Sequence, residues 1–96
     1  MPLLSTTELS QSLSRLPGWK VSDRTLEQSF EFEDFVTAMR FVNSVAEAAE
    51  RAGHHPDIDI RYNKVHLVLS SHDSGGVTER DTALAAEIAK IPTSGS

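Results

Sequence analysis

Hydrophobic spacing switches from a helical period to a strand period and back, twice over, within 96 residues, and few architectures accommodate that alternation. Leu9, Leu13 and Leu16 recur at helical intervals behind Ser5-Thr6-Thr7-Glu8, which reads as a capping box with Leu4 and Leu9 as its hydrophobic staple. Pro17-Gly18 stops that helix after about three turns. From Trp19 to Phe32 the period is two: Trp19 and Val21, a turn at Asp23-Arg24, then Leu26, Gln28, Phe30 and Phe32 on one face, with Gln28 the polar exception. Asp34 caps a long helix whose apolar stripe reads Phe35, Met39, Val42, Ala46 and Ala49, and Gly53 suits the left-handed position that ends it.

A second hairpin follows. Ile58, Ile60 and Tyr62 alternate with Asp57, Asp59 and Arg61, and Asn63-Lys64 reads as the two-residue connection. On the return strand Val65, Leu67 and Leu69 share one face, while His66, Val68, Ser70 and His72 share the other. Asp73-Ser74-Gly75-Gly76 is a loop, and Thr78-Glu79-Arg80-Asp81 opens a last helix with Leu84, Ala85, Ile88 and Ile91 as its apolar face. The order predicts a single α+β domain over residues 1–92, α-ββ-α-ββ-α, with three helices on one face of a four-stranded antiparallel sheet and a flexible tail at 93–96.

Composition narrows the function. A net charge of −5 with nine scattered Lys and Arg argues against a nucleic-acid partner, since phosphate binding needs clustered cations. The chain has no cysteine, so disulfides and thiolate metal sites are excluded. The N-terminal residues lack a signal-peptide pattern, and no apolar run approaches the ~20 residues that span a bilayer. A cytoplasmic protein is expected. A domain this small buries only about 60–65% of its unfolded surface, so self-association would be a natural supplement.

Three of the four histidines carry the chemistry: His54 and His55 before Pro56, and His72. Imidazole is the side chain that exchanges a proton near neutral pH. With Asn63 and Lys64 as the hairpin turn, Tyr62 faces Val65 and His55 faces His72, which brings the three to one end of the sheet. General acid–base catalysis on a small molecule is the expected use. A divalent metal held by His54, His55 and His72 with Asp57 or Asp73 is the main rival, although adjacent histidines in extended chain point apart. A Ser70/His55/Asp57 nucleophilic triad lacks any accompanying oxyanion-hole motif. Glu50 lies in the last turn of its helix, where the dipole disfavours a carboxylate, which suits a role orienting a histidine. Asp81 reads as a stabiliser of the last helix's first turn, Tyr62 as packed under the hairpin, and His66 as a surface or interface residue.

The spacing of Glu50, His54-His55-Pro56, Tyr62, His72 and Asp81, together with Leu16-Pro17-Gly18-Trp19, Tyr62-Asn63-Lys64-Val65 and Thr78-Glu79-Arg80-Asp81, resembles the pterin-4a-carbinolamine dehydratases from the first helix to Ile91. The resemblance implies loss of water from a 4a-hydroxytetrahydropterin, the product left by aromatic amino-acid hydroxylases, with no cofactor. It implies that His54 and His72 are acids serving the hydroxyl and that His55 holds the substrate and acts as base. Gly53, Ser70, Ser71 and Asp73 would line the pocket with the histidines, and Glu50 and Asp81 would support them. Some relatives carry a polar residue where this chain has Gly53, so a side-chain contact from there is lost. The family also implies homodimers or homotetramers and a hydroxylase as a partner. It includes non-catalytic dimerisation cofactors and assembly factors, which tend to lose the histidines that this chain keeps.

Overall fold

A computed structural model describes residues 2–93. Its elements run α1 (Thr6–Leu13), β1 (Lys20–Ser22), β2 (Thr25–Glu31), α2 (Phe35–Ala52), β3 (Asp57–Arg61), β4 (Lys64–Leu69) and α3 (Glu79–Ala89). The expected α+β order is present, and the four strands form one antiparallel sheet in the order β1-β2-β4-β3. Of the tail expected at 93–96, residues 94–96 lie outside the described residues.

Local chemistry sets the element ends. Ser5 Oγ accepts from the Glu8 amide, and the Glu8 carboxylate accepts from the Ser5 amide at 2.8 Å, the two halves of the capping box. Asp34 accepts from the Thr37 amide and so caps α2; that bond holds the Asp34 carboxyl below its ordinary range. Gly53 closes α2 at φ 62°, and the Gly53 and His54 amides donate to Glu50 and Ala49. α1 is shorter than its leucine spacing suggested. It ends at Leu13, and Leu16 reaches the core from the turn that follows.

One sheet face meets the helices. Leu26, Leu67 and Leu69 on the two central strands are fully buried beneath Phe41, Val45 and Ala49 of α2 and Leu84 and Ile88 of α3. Each large side chain so buried contributes about 1.5–3 kcal/mol relative to exposure. Phe41 also closes an aromatic cluster, with its ring centroid 4.6 Å from Phe30 and 5.0 Å from Phe32.

The stripe expected on α2 holds at Val42 and Ala49, and at Met39 half-buried against the core, but not at its other two positions. Phe35 is 48% exposed and Ala46 is exposed, while Ala38, Phe41, Val42, Val45, Ala48 and Ala49 face inward. Small residues flank the helix on both sides, so spacing alone left two faces open; the bulkier Phe41 and Val45 choose between them. Phe35, Val36 and Ala46 remain as exposed apolar residues, and Met39 lies half-buried against the core.

Gln28, the exception in β2, does lie on the core face, opposite Leu67. Gly18 sits over it at φ 87°, where an added Cβ would stand 2.4 Å from the Gln28 amide nitrogen. The Gln28 side chain can swing aside, but the backbone angle cannot be relieved. Gly18→Ala is therefore expected to destabilise the fold by about 1–2 kcal/mol, read as a lower urea midpoint at unchanged m-value.

Candidate active site

The α2–β3 corner and the β4–α3 connection supply the site. Asp57 pairs with Val68 and Arg61 with Lys64, so the β3–β4 turn is Tyr62-Asn63, not Asn63-Lys64. Tyr62 takes the left-handed conformation at φ 54° and is 66% exposed, so it does not pack under the hairpin. Asn63 is held to β2 instead: its carbonyl accepts from the Phe32 amide at 2.8 Å, and its side-chain amide donates to the Phe32 carbonyl at 2.7 Å. The register moves by two residues, and the facing of His55 with His72 expected from the turn does not occur. The pairing stops at Asp57, and His72 lies in a tight loop closed by the Ser71–Gly76 bridge.

What joins the corner to the loop is a carboxylate. Asp81 is fully buried, and its Oδ2 accepts from the Thr78 amide at 2.8 Å and from Ser71 Oγ at 2.9 Å. Ser71 Oγ also lies 2.8 Å from Thr78 Oγ1. The other oxygen, Oδ1, is 2.5 Å from His54 Nε2, and the His54 side chain is only 10% exposed. Asp81 thus completes the α3 capping box, as expected, and also grips a histidine 27 residues earlier. With the carboxylate accepting, Nε2 is a donating nitrogen, which leaves Nδ1 as the nitrogen that can exchange a proton with a ligand. Ser71, which shares this carboxylate with His54, immediately precedes His72, so the two histidines are tethered through one buried group.

His55 has the same kind of backing in a wetter setting. Its Nε2 lies 2.5 Å from Glu50 Oε2, with the two side chains 65% and 76% exposed. Such a pair contributes at most about 1 kcal/mol to stability, so its use is orientation. His72 is exposed, as is Asp73, and the His72 carbonyl accepts from the Gly75 amide.

Other candidates are placed differently from expectation. Ser70 Oγ donates to the Arg24 carbonyl at 3.1 Å and Ser71 Oγ is turned inward to Asp81, so both hydroxyls are committed. With Ser70 bound to Arg24 and His55 to Glu50, no Ser70/His55/Asp57 triad is assembled. Gly53 is exposed and a Cβ added there would meet nothing within 4 Å, but its φ of 62° would strain any longer residue. Among the described residues no group of three metal-ligating side chains converges. Sequence reasoning missed Arg80, whose Nη2 donates to the Gly53 carbonyl at 3.1 Å and pins the corner just before His54. Its position beside Asp81 in the capping motif was the available signal.

A buried carboxylate that orients one imidazole, beside a second carboxylate-backed imidazole, is an arrangement able to hold and exchange protons. The family model described as pterin 4 alpha carbinolamine dehydratase matches residues 2–91. A protein of Acidobacterium capsulatum, named provisionally as a pterin-4-alpha-carbinolamine dehydratase, is 58% identical over 92% of this chain and 96% of its own length. One of Chloroflexus aurantiacus, named in the same way, is 50% identical over 95% and 98%. The crystal structure of a transcriptional coactivator/pterin dehydratase from Brucella melitensis superposes with a TM-score of 0.86 at 36% identity, covering 91% of this chain and 95% of that one. A pterin dehydratase-like RuBisCO assembly factor of the α-carboxysome shares the fold alone, with a TM-score of 0.60 at 22% identity over 73% of this chain and 81% of that one. On a match that runs from α1 through α3, the chain belongs to the pterin 4 alpha carbinolamine dehydratase family.

Proposed function

We propose that this chain dehydrates 4a-hydroxytetrahydropterins to quinonoid dihydropterins, recycling the cofactor of aromatic amino-acid hydroxylases. The buried Asp81–His54 pair is the observation that carries the reading, because a helix cap alone has no need of a histidine on its second oxygen. In the reaction the C4a–O bond breaks, the hydroxyl takes a proton and leaves as water, and the N5 proton is removed as the C4a–N5 double bond forms. Oxidation state is unchanged overall, so no redox cofactor is called for. His54 and His72 act on the hydroxyl, and His55 holds the pterin and accepts the N5 proton. Glu50 and Asp81 orient His55 and His54. Gly53, Ser70, Ser71 and Asp73 line the pocket through their backbone, with the Ser71 hydroxyl supporting Asp81. The chain would work in the cytoplasm.

The test is the decay of chemically generated 4a-hydroxytetrahydropterin, followed by absorbance with and without the protein. Faster decay that depends on His54 and His72 supports the reading. Equal rates would leave a non-catalytic interaction module on the same fold.

The exposed apolar residues Phe35, Val36 and Ala46 of α2 support self-association, as a dimer or tetramer. Light scattering is expected to give two or four times the 10.5 kDa chain mass, and Val36→Glu, at an exposed position, to lower that multiple. A 10.5 kDa species at micromolar concentration would remove the proposal.

A further inference from the structure

The sheet face turned away from the helices carries a second histidine system, built on β2 and β4 from residues the first does not use. Ser29 of β2 and His66 of β4 are directly paired across the strands, which puts both side chains on that face. Ser29 Oγ lies 2.6 Å from His66 Nδ1, and His66 Nε2 lies 2.8 Å from Glu27 Oε1. Thr25 Oγ1 donates to the other oxygen of Glu27 in a short bond. The bonds from Thr25 and His66 hold the Glu27 carboxyl below its ordinary range, so the carboxylate accepts at neutral pH.

That order fixes the proton positions. An accepting Glu27 requires Nε2 to be a donor, so in the neutral ring the lone pair lies on Nδ1 and Ser29 donates to it. A hydroxyl hydrogen-bonded to a base, with the base oriented by a third group, is the arrangement that activates a serine nucleophile. Ser29 and His66 also form the wall shared by two depressions of about 400 Å³ and 390 Å³. One is lined by Lys64 and Arg61, the other by Lys20. A carbonyl over Ser29 would have room for one arm on either side, and Lys64, diagonal to Ser29 across the pairing, is within a long side chain's reach of the developing oxyanion.

We propose that Ser29, with His66 as base and Glu27 as its positioning residue, forms a second reactive site that takes acyl groups from small activated esters. Ser29 Oγ attacks the ester carbonyl carbon while its proton passes to His66 Nδ1. The tetrahedral adduct expels the alcohol or phenol, which takes that proton, and leaves an acyl-Ser29 ester. Water then adds to the acyl carbon with His66 again accepting the proton, and the carboxylic acid departs as Ser29 regains its hydrogen. The site uses none of the residues of the pterin reading and stands or falls without it.

The experiment treats the full chain with p-nitrophenyl acetate and with a fluorophosphonate probe, and maps the adduct by peptide mass spectrometry. Wild type is expected to carry one adduct, on Ser29, and to release p-nitrophenol at least ~10-fold faster than Ser29→Ala or His66→Gln. Circular dichroism of the variants reports folding, which substitutions on this open face should leave intact. Glu27→Gln is read by long-range ¹H–¹⁵N NMR of His66, where loss of the single tautomer along with slower labelling marks positioning rather than structure. Adducts distributed over lysines, or none on Ser29 in a folded wild-type chain, would overturn the proposal.

Discussion

Replacing Asp81 by alanine is expected to lower the free energy of unfolding by about 3–5 kcal/mol, because a buried carboxylate is taken away from the donors it pairs. Three donors lose their acceptor at once: the Thr78 amide, the Ser71 hydroxyl and His54 Nε2. Each buried donor left unpaired costs about 1–3 kcal/mol, and relaxation around the small cavity recovers part of the sum. A domain of this size has about 5–15 kcal/mol to lose, and each kcal/mol moves its midpoint by about 4–8 °C, so melting should fall by more than ~10 °C. Asp81→Asn separates charge from shape. The amide keeps one acceptor oxygen but turns a donor toward one set of partners, and should cost about 1–3 kcal/mol. Urea titrations of the two variants decide the matter. An alanine variant within ~0.5 kcal/mol of wild type would mean that the carboxylate is solvated and does not hold the corner to the loop.

Asp81 also shows where sequence reading stops. Its place in the motif Thr78-Glu79-Arg80-Asp81 was enough to predict the capping box, because caps are local and obey fixed spacing. Its grip on His54 was not legible, since nothing within a few residues of either position signals the other. The same division runs through the fold. Ser5, Asp34 and Gly53 mark element ends by the conformations they favour, and alternation locates the strands. The turn of the second hairpin was misjudged by one residue because Tyr62, an unfavoured type for left-handed φ, adopts it while Asn63 is spent on the two bonds to Phe32. One such residue moves the pairing partners of the whole hairpin by two. Faces survived that error because the shift is even, so Val65, Leu67 and Leu69 still point into the core. The neighbourhood of Ser29 and His66 needed the pairing of β2 with β4, a consequence of strand order that local patterns do not encode.

Substituting His54 should slow dehydration far more than it weakens the fold. Loss of a positioned acid typically costs about 10²–10⁴ in rate, equivalent to ~2.7–5.5 kcal/mol at the barrier. The effect should fall on kcat, because in the proposed mechanism proton transfer to the departing hydroxyl belongs to the transition state. His54→Ala mixes this loss with an unpaired Oδ1 on Asp81, so the sharper variant is His54→Gln. A glutamine amide can still donate to Asp81, keeping the buried network paired, but it has no proton to exchange at neutral pH. Near-native stability with a rate lowered ~10²-fold or more is therefore the expected pair of results. His72→Gln should cost a similar factor, and the double variant much less than the product of the two, because in the proposed mechanism both rings serve one hydroxyl. Fully multiplicative losses would assign the histidines to separate steps, and an undiminished rate in folded His54→Gln would remove His54 from the proton path.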